Sequence, residues 1–193
     1  MGKQYGGVRL ASRRRALWIL LLAAAWWPRA AEASVVRALS VAQQVALSDA
    51  VVEGRVGVAE AHHEPGSPPF TDVPIHVEQV LHARVAVPEV VWLRQRRGVV
   101  EGRRITVVGD AVLQPGEHVV VFLRQVQGRW YLTSLAQSVF WLDGAFGPGS
   151  AEQRLGGLTR LGEDGATPLK PPPGAATSAE ALRRAVRAAG VRP

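Results

Sequence analysis

His62, His63 and Glu64 stand side by side, and imidazole and carboxylate are ligands for zinc and related cations. Their adjacency works against that use. Successive side chains on a strand point to opposite faces, so His62 and His63 share an ion only where a loop turns them together. His76, His82 and His118 could join them only through the fold, and the spacing matches no standard zinc pattern. A solvated loop is the simpler reading, so the expectation is no metal and no cofactor. A second group is cationic. Arg94, Arg96, Arg97, Arg103 and Arg104 flank Gly98 and Gly102. If residues 90–96 are extended, Trp92, Arg94 and Arg96 share one face. An aromatic ring beside two guanidiniums suits anionic sugars, phosphates or single-stranded nucleic acid, through stacking and bidentate contacts. The competing reading is a solubilising hairpin.

Catalysis has less support, and no residue is assigned to it. Ser34, Ser40, Ser48, Ser134 and Ser138 lie in no nucleophile-elbow context. No Gly-rich phosphate loop followed by Lys-Ser/Thr is present, and the carboxylates are scattered. The chain has no cysteine, which excludes a disulfide scaffold, a thiol nucleophile and a cysteine zinc site. An enzyme would have to assemble its Glu, Asp and His residues in space, at the mouth of whatever fold carries them.

That fold is organised by residues 115–123, Pro-Gly-Glu-His-Val-Val-Val-Phe-Leu. A Pro-Gly turn feeds five apolar residues, too few for a helix and apolar on both faces, as in a strand buried on both sides. Gln127-Gly128 offers a tight turn, and 130–133 and 139–142 read as strand with a bend between. Upstream, Ser40 and Gln43 form a capping box for a helix to about Ser48. Residues 50–58 follow as strand, with Gly54 and Gly57 suggesting a bulge or sharp bend. Residues 62–70 read as an exposed loop. Residues 73–81 alternate as a strand whose Pro74 places its start at an edge; 90–95 and 103–108 are further strands. The resulting expectation is a mainly β fold: a small OB-like barrel, closed or partly open, of about six strands, with a short N-terminal helix.

Residues 1–33 read as an address. Lys3, Arg9, Arg13, Arg14 and Arg15 form a basic head, 16–27 is an uncharged apolar run, and Ala31-Glu32-Ala33 is a small-x-small cleavage pattern. Twelve helical residues rise about 18 Å, short of a hydrocarbon core of about 30 Å. A cleaved signal peptide is favoured over a retained anchor. The expected location is exported, periplasmic or secreted, by a Sec-type route rather than a twin-arginine one. The chain carries 23 Lys+Arg and 16 Asp+Glu. Without the six bases and one acid of residues 1–33 these become 17 and 15, a net of about +2, so bulk charge gives nucleic-acid binding little support.

Residues 34–143 form the expected barrel domain, 144–176 a Gly/Pro-rich linker with at most one helical turn near 152–155, and 177–190 an amphipathic helix. Thr177 and Glu180 form its capping box. Ala181, Leu182, Ala185, Val186 and Ala189 make an apolar stripe opposite Arg183, Arg184 and Arg187. A helix docked on the barrel is preferred over one lying on a membrane surface.

Three segments occur in order: Asp49-Ala50-Val51-Val52-Glu53-Gly54-Arg55-Val56, the 115–123 run, and Ser134-Leu135-Ala136-Gln137-Ser138-Val139-Phe140. On these the chain resembles an uncharacterised family of bacterial secreted domains. More distantly it is similar to netrin-like modules and tissue inhibitors of metalloproteases, whose barrel is OB-type. The resemblance implies the fold and says little of function. Ser138 stands where glycine is expected, and Leu81-His82-Ala83 where a Lys-Gly turn is. The inhibitors chelate zinc with an N-terminal cysteine; Ser34 holds that end here, so their mechanism does not transfer. The combined expectation is an exported, non-catalytic module that binds an anionic envelope polymer or a protein partner. The alternatives are a hydrolase-type enzyme and a signal-anchored membrane protein.

Overall fold

The computed structural model describes residues 34–63, 68–100, 103–155, 157–162, 164–169 and 177–191. Residues 1–33, and with them the expected signal peptide, lie outside the described residues. The elements are β1 (Ser34–Arg37), α1 (Val41–Leu47), β2 (Ala50–Val56), β3 (Glu60–His62), β4 (Phe70–Ala83), β5 (Val90–Gln95), β6 (Gly98–Val100) and β7 (Arg103–Ile105). They continue as β8 (His118–Val126), β9 (Arg129–Leu132), a 3-10 turn (Leu135–Ser138), β10 (Val139–Leu142), β11 (Ser150–Glu152), β12 (Leu158–Leu161), β13 (Pro168–Leu169), β14 (Thr177–Ser178) and α2 (Ala179–Gly190).

Five strands close a barrel in the order β2-β4-β5-β9-β8 and back to β2. Every pairing is antiparallel except β5 with β9, which meet at Leu93 and Trp130. The far edge of β8 is divided. Leu123 to Val126 pair with β9 and complete the barrel, while Val119 to Val121 pair with β10. Strands β11 and β14 extend the sheet from β10 and deliver the chain to α2.

β8 explains why the fold is organised around it. Val119, Val121 and Leu123 point into the barrel with Val52, Ile75, Leu93 and Trp130. Val120 and Phe122 point outward with Val51 and Phe140, against Val45 of α1 and Leu182 and Val186 of α2. All five β8 residues are fully buried, each contributing roughly 1.5–3 kcal/mol. α1 carries both hydrogen bonds of the Ser40–Gln43 capping box. Of the apolar stripe of α2, Leu182 and Val186 are buried on the sheet and Ala189 partly so, while Ala185 is exposed; this is the docked arrangement. No helix among the described residues is long and apolar enough to cross a membrane.

Several expectations need correction. Residues 103–108 are not a barrel strand: β7 pairs with β6 in a separate two-stranded sheet. His62 is not loop but strand, paired with Phe70. Pro74 lies inside β4, opposite Trp92, and not at a sheet edge. It is tolerated because β4 there changes partner from β3, which ends opposite Asp72, to β2, which begins opposite Ile75. The gap between them requires no donor from residue 74. The stretch expected as linker contributes β11 to the main sheet and pairs β12 in parallel with β1. No helical turn forms at 152–155. Ser178, not Thr177, caps α2, its hydroxyl accepting from the Ala181 amide.

Of the bulge or bend expected at Gly54, the bulge forms, with its extra residue on the facing strand β4. Partners on β4 jump from Gln79, opposite Glu53, to Val77, opposite Gly54. Glu78 is therefore the extra residue of a β-bulge. A Cβ on Gly54 would lie 2.2 Å from the His76 carbonyl oxygen, so only glycine fits there.

Candidate functional site

Period-two alternation sorts β5 cleanly. Val91, Leu93 and Gln95 face the barrel interior and are buried, while Trp92, Arg94 and Arg96 face outward. Register then sets their neighbours. Asp72 stands opposite Arg94, and their contact is bidentate: Arg94 Nε donates to Asp72 Oδ1 at 2.9 Å, and the second guanidinium nitrogen to Oδ2 at 2.7 Å. The Arg94 guanidinium also lies 3.6 Å from the centre of the Phe70 ring, a cation–π contact. His62 stacks on the same ring at 5.2 Å.

Barrel closure brings in a second set of residues. Because Trp130 points inward, Arg129 and Tyr131 of β9 point outward beside β5. Across the β8–β9 hairpin, Tyr131 is opposite Arg124 and Arg129 opposite Val126. The turn between them, Gln127-Gly128, has positive φ at both residues (51° and 77°), as a type I′ turn requires. A concavity of about 430 Å³ is lined by Phe70, Arg94, Arg96, Arg124, Arg129 and Tyr131, with Pro68 and Val126 at its rim. Hollows of about 340 and 190 Å³ continue it, toward Trp92 on one side and toward Asp110 on the other. Trp92 is 46% exposed. Among the described residues, Arg96, Arg124 and Arg129 have no ion pair, whereas Arg94 is held by Asp72. Burial pushes the Asp110 carboxyl above the usual carboxylate range, against the Ala111 amide and Gln95 hydrogen bonds.

The structure thus brings together Trp92, Arg94 and Arg96. Arg97 is half-buried, and its carbonyl accepts the Thr71 hydroxyl at 2.8 Å. Arg103 and Arg104 sit in β7, and their side chains lie outside the described residues. Arg124, Arg129 and Tyr131 were missed by sequence reasoning. They join β5 only through barrel closure, and no local spacing announces that.

The histidines are also redistributed. His62 Nε2 is 3.8 Å from Glu60 and 3.7 Å from Asp72, on an exposed strand, and His63 is exposed. Neither meets His76, His82 or His118. His118 instead enters a second ionic cluster. Its Nε2 lies 3.1 Å from Glu53 Oε1 and 3.2 Å from Glu78 Oε2, and its Nδ1 lies 3.7 Å from Asp143. Arg183 of α2 grips both Glu53 oxygens at 2.7 and 2.6 Å, and this hydrogen bonding holds the Glu53 carboxyl below its ordinary range despite burial. Arg55 Nε donates to Glu78 at 3.1 Å. The bulge aims Glu78 here. Gly54 was the one local sign of it.

The chain matches no family model, and neither the curated proteins nor the solved structures give a match. Any functional reading therefore rests on the site itself.

Proposed function

We propose that this domain is a non-catalytic binding module whose outward β5–β9–β8 face receives an anionic polymer, most simply a sulfated, phosphorylated or carboxylated polysaccharide. The observation that carries the reading is the company kept by Arg96, Arg124 and Arg129. Three guanidiniums without an ion pair among the described residues surround Tyr131 and Phe70 in one open concavity. Guanidiniums recognise sulfate, phosphate and carboxylate by paired donors, and aromatic faces take sugar rings or bases. OB-type barrels use the face of their second and third strands for such ligands, and β4 and β5 are those strands. The shallow, open form of the hollows favours a passing chain over an enclosed small molecule. If residues 1–33 direct export, as their pattern leads one to expect, the available polyanions are those of the cell envelope or the surroundings.

A titration of the full chain with a sulfated oligosaccharide tests this. The expected result is saturable binding that weakens with salt. It should fall about tenfold or more in an Arg96/Arg124/Arg129→Ala variant, since each bidentate charged contact is worth roughly 1.5–3 kcal/mol. An Arg84/Arg187→Ala control, with the same kind of charge removed elsewhere, should bind as the parent does. Equal loss in both variants would reduce the effect to bulk charge and sink the groove.

A further inference from the structure

We propose that Glu53, Glu78 and His118 form a binding site for a first-row divalent cation of the Zn²⁺ class, tying β2, β4 and β8 together beneath α2. The inference is independent of the anion-binding groove, which lies at the other end of β8.

Three donor atoms from three adjacent strands converge there, all within 4.8 Å of one another. The Nε2 of His118 is 3.1 and 3.2 Å from the two carboxylate oxygens. Ligands held about 2.0–2.2 Å from a metal stand about 3.0–3.5 Å apart along the edges of a tetrahedral or octahedral shell, so the donors have a coordination shell's spacing. A second observation concerns the imidazole. Both His118 ring nitrogens are buried and neither makes a hydrogen bond of acceptable direction. A buried ring nitrogen flanked by two carboxylate oxygens, neither of them well aligned for a hydrogen bond, stands where a metal-ligating nitrogen would.

The surroundings supply an outer shell. Arg183 fixes Glu53 and Arg55 fixes Glu78. Each carboxylate oxygen has a further lone pair for a cation. Asp143 stands on the Nδ1 side of the ring, where metal-binding histidines commonly have a carboxylate. Three carboxylates face two guanidiniums, leaving the cluster one negative charge in excess when His118 is neutral. One nitrogen and two oxygens without sulfur suit zinc, manganese or iron(II) better than copper(I). His62, with carboxylates at 3.7 and 3.8 Å on an exposed strand, lacks this convergence.

Equilibrium dialysis of the full chain against ZnCl₂, with bound metal measured by atomic absorption, tests the site. The expected result is one zinc per chain and a rise in Tm on adding zinc. H118A and E78Q should each lose about tenfold or more in affinity, while an H62A/H63A chain binds as the parent does. Because Glu78 is half-exposed, E78Q should fold even if H118A does not, and circular dichroism checks each variant. No binding by the parent chain, or undiminished binding by E78Q, would overturn the proposal. So would loss of binding in H62A/H63A.

Discussion

At its His118 end, β8 delivers an imidazole into a cluster where carboxylates and guanidiniums stand within about 3 Å of one another. At its Arg124 end, six residues and about 20 Å along, it presents a guanidinium that joins Arg96 and Arg129 around aromatic rings, with no ion pair among the described residues. The two regions hold similar residue types on one strand. At the first, the buried Glu53 carboxylate would be costly unpaired, and Arg183 of α2 pairs it, as Arg55 pairs Glu78. At the second, the guanidiniums face water. Charge pairing thus separates a cohesive region from an open one, and the open one is the contact face of the proposed function.

The widest blow to this contrast is to the strand both regions share. Phe122→Ala should cost about 3–5 kcal/mol in denaturant unfolding, because its ring is wholly buried between β8 and the helices. If the variant instead retained parental stability, β8 would not be the common frame.

Glu53→Gln comes next, at about 1–2 kcal/mol. It leaves Arg183 with only the longer 3.9 Å contact to Glu180, and the loss is moderated because the Arg183 side chain is a quarter exposed. The pH dependence follows from the sign of the Glu53 shift. Its folded pKa is depressed, so its stabilisation is present above the unfolded value of about 4.3 and is lost as pH falls through the folded value. The acid limb of the parent's stability profile should therefore be steeper than that of Glu53→Gln.

Removing charge at the other end should do the reverse. Arg96→Ala with Arg129→Ala should change stability by no more than about 0.5 kcal/mol per site while weakening polyanion binding. A clear loss of stability would place these arginines with the cohesive region. A gain rather than a loss is expected at Asp110, whose ionised form is penalised by burial. Because its folded pKa is raised, that penalty applies above the folded value and is relieved as pH falls through it. Asp110→Asn should gain up to about 1 kcal/mol at pH 7, the gain closing as pH falls, and should slightly tighten anion binding.

Much of the fold was legible because β8 is apolar on both faces and has an interior to bury on each. Residues 90–95 and 139–142 were read to the residue, the second as a short run of apolar residues buried on both faces. Half of the groove was legible too, since period two places Trp92, Arg94 and Arg96 together. Arg124, Arg129 and Tyr131 were hidden because the parallel closure of β5 on β9 has no local sequence mark. Arg103 and Arg104 were drawn in by nearness along the chain; β7 belongs to a hairpin outside the barrel, and their side chains lie outside the described residues. Nearness also singled out His62-His63, whereas the partners of His118 lie 65 and 40 residues upstream. Only the bulge at Gly54 hinted that Glu78 would be turned toward them.

The indole N–H resonances of the folded domain give the most direct test of the contact face. Trp92 is exposed on the groove, while Trp141 is buried and donates its Nε1–H to Glu117 at 2.9 Å. On titrating the labelled chain with a sulfated oligosaccharide, the Trp92 signal, assigned by its absence in Trp92→Phe, should shift progressively to saturation while Trp141 stays in place. A saturating titration that leaves Trp92 unmoved would contradict the account.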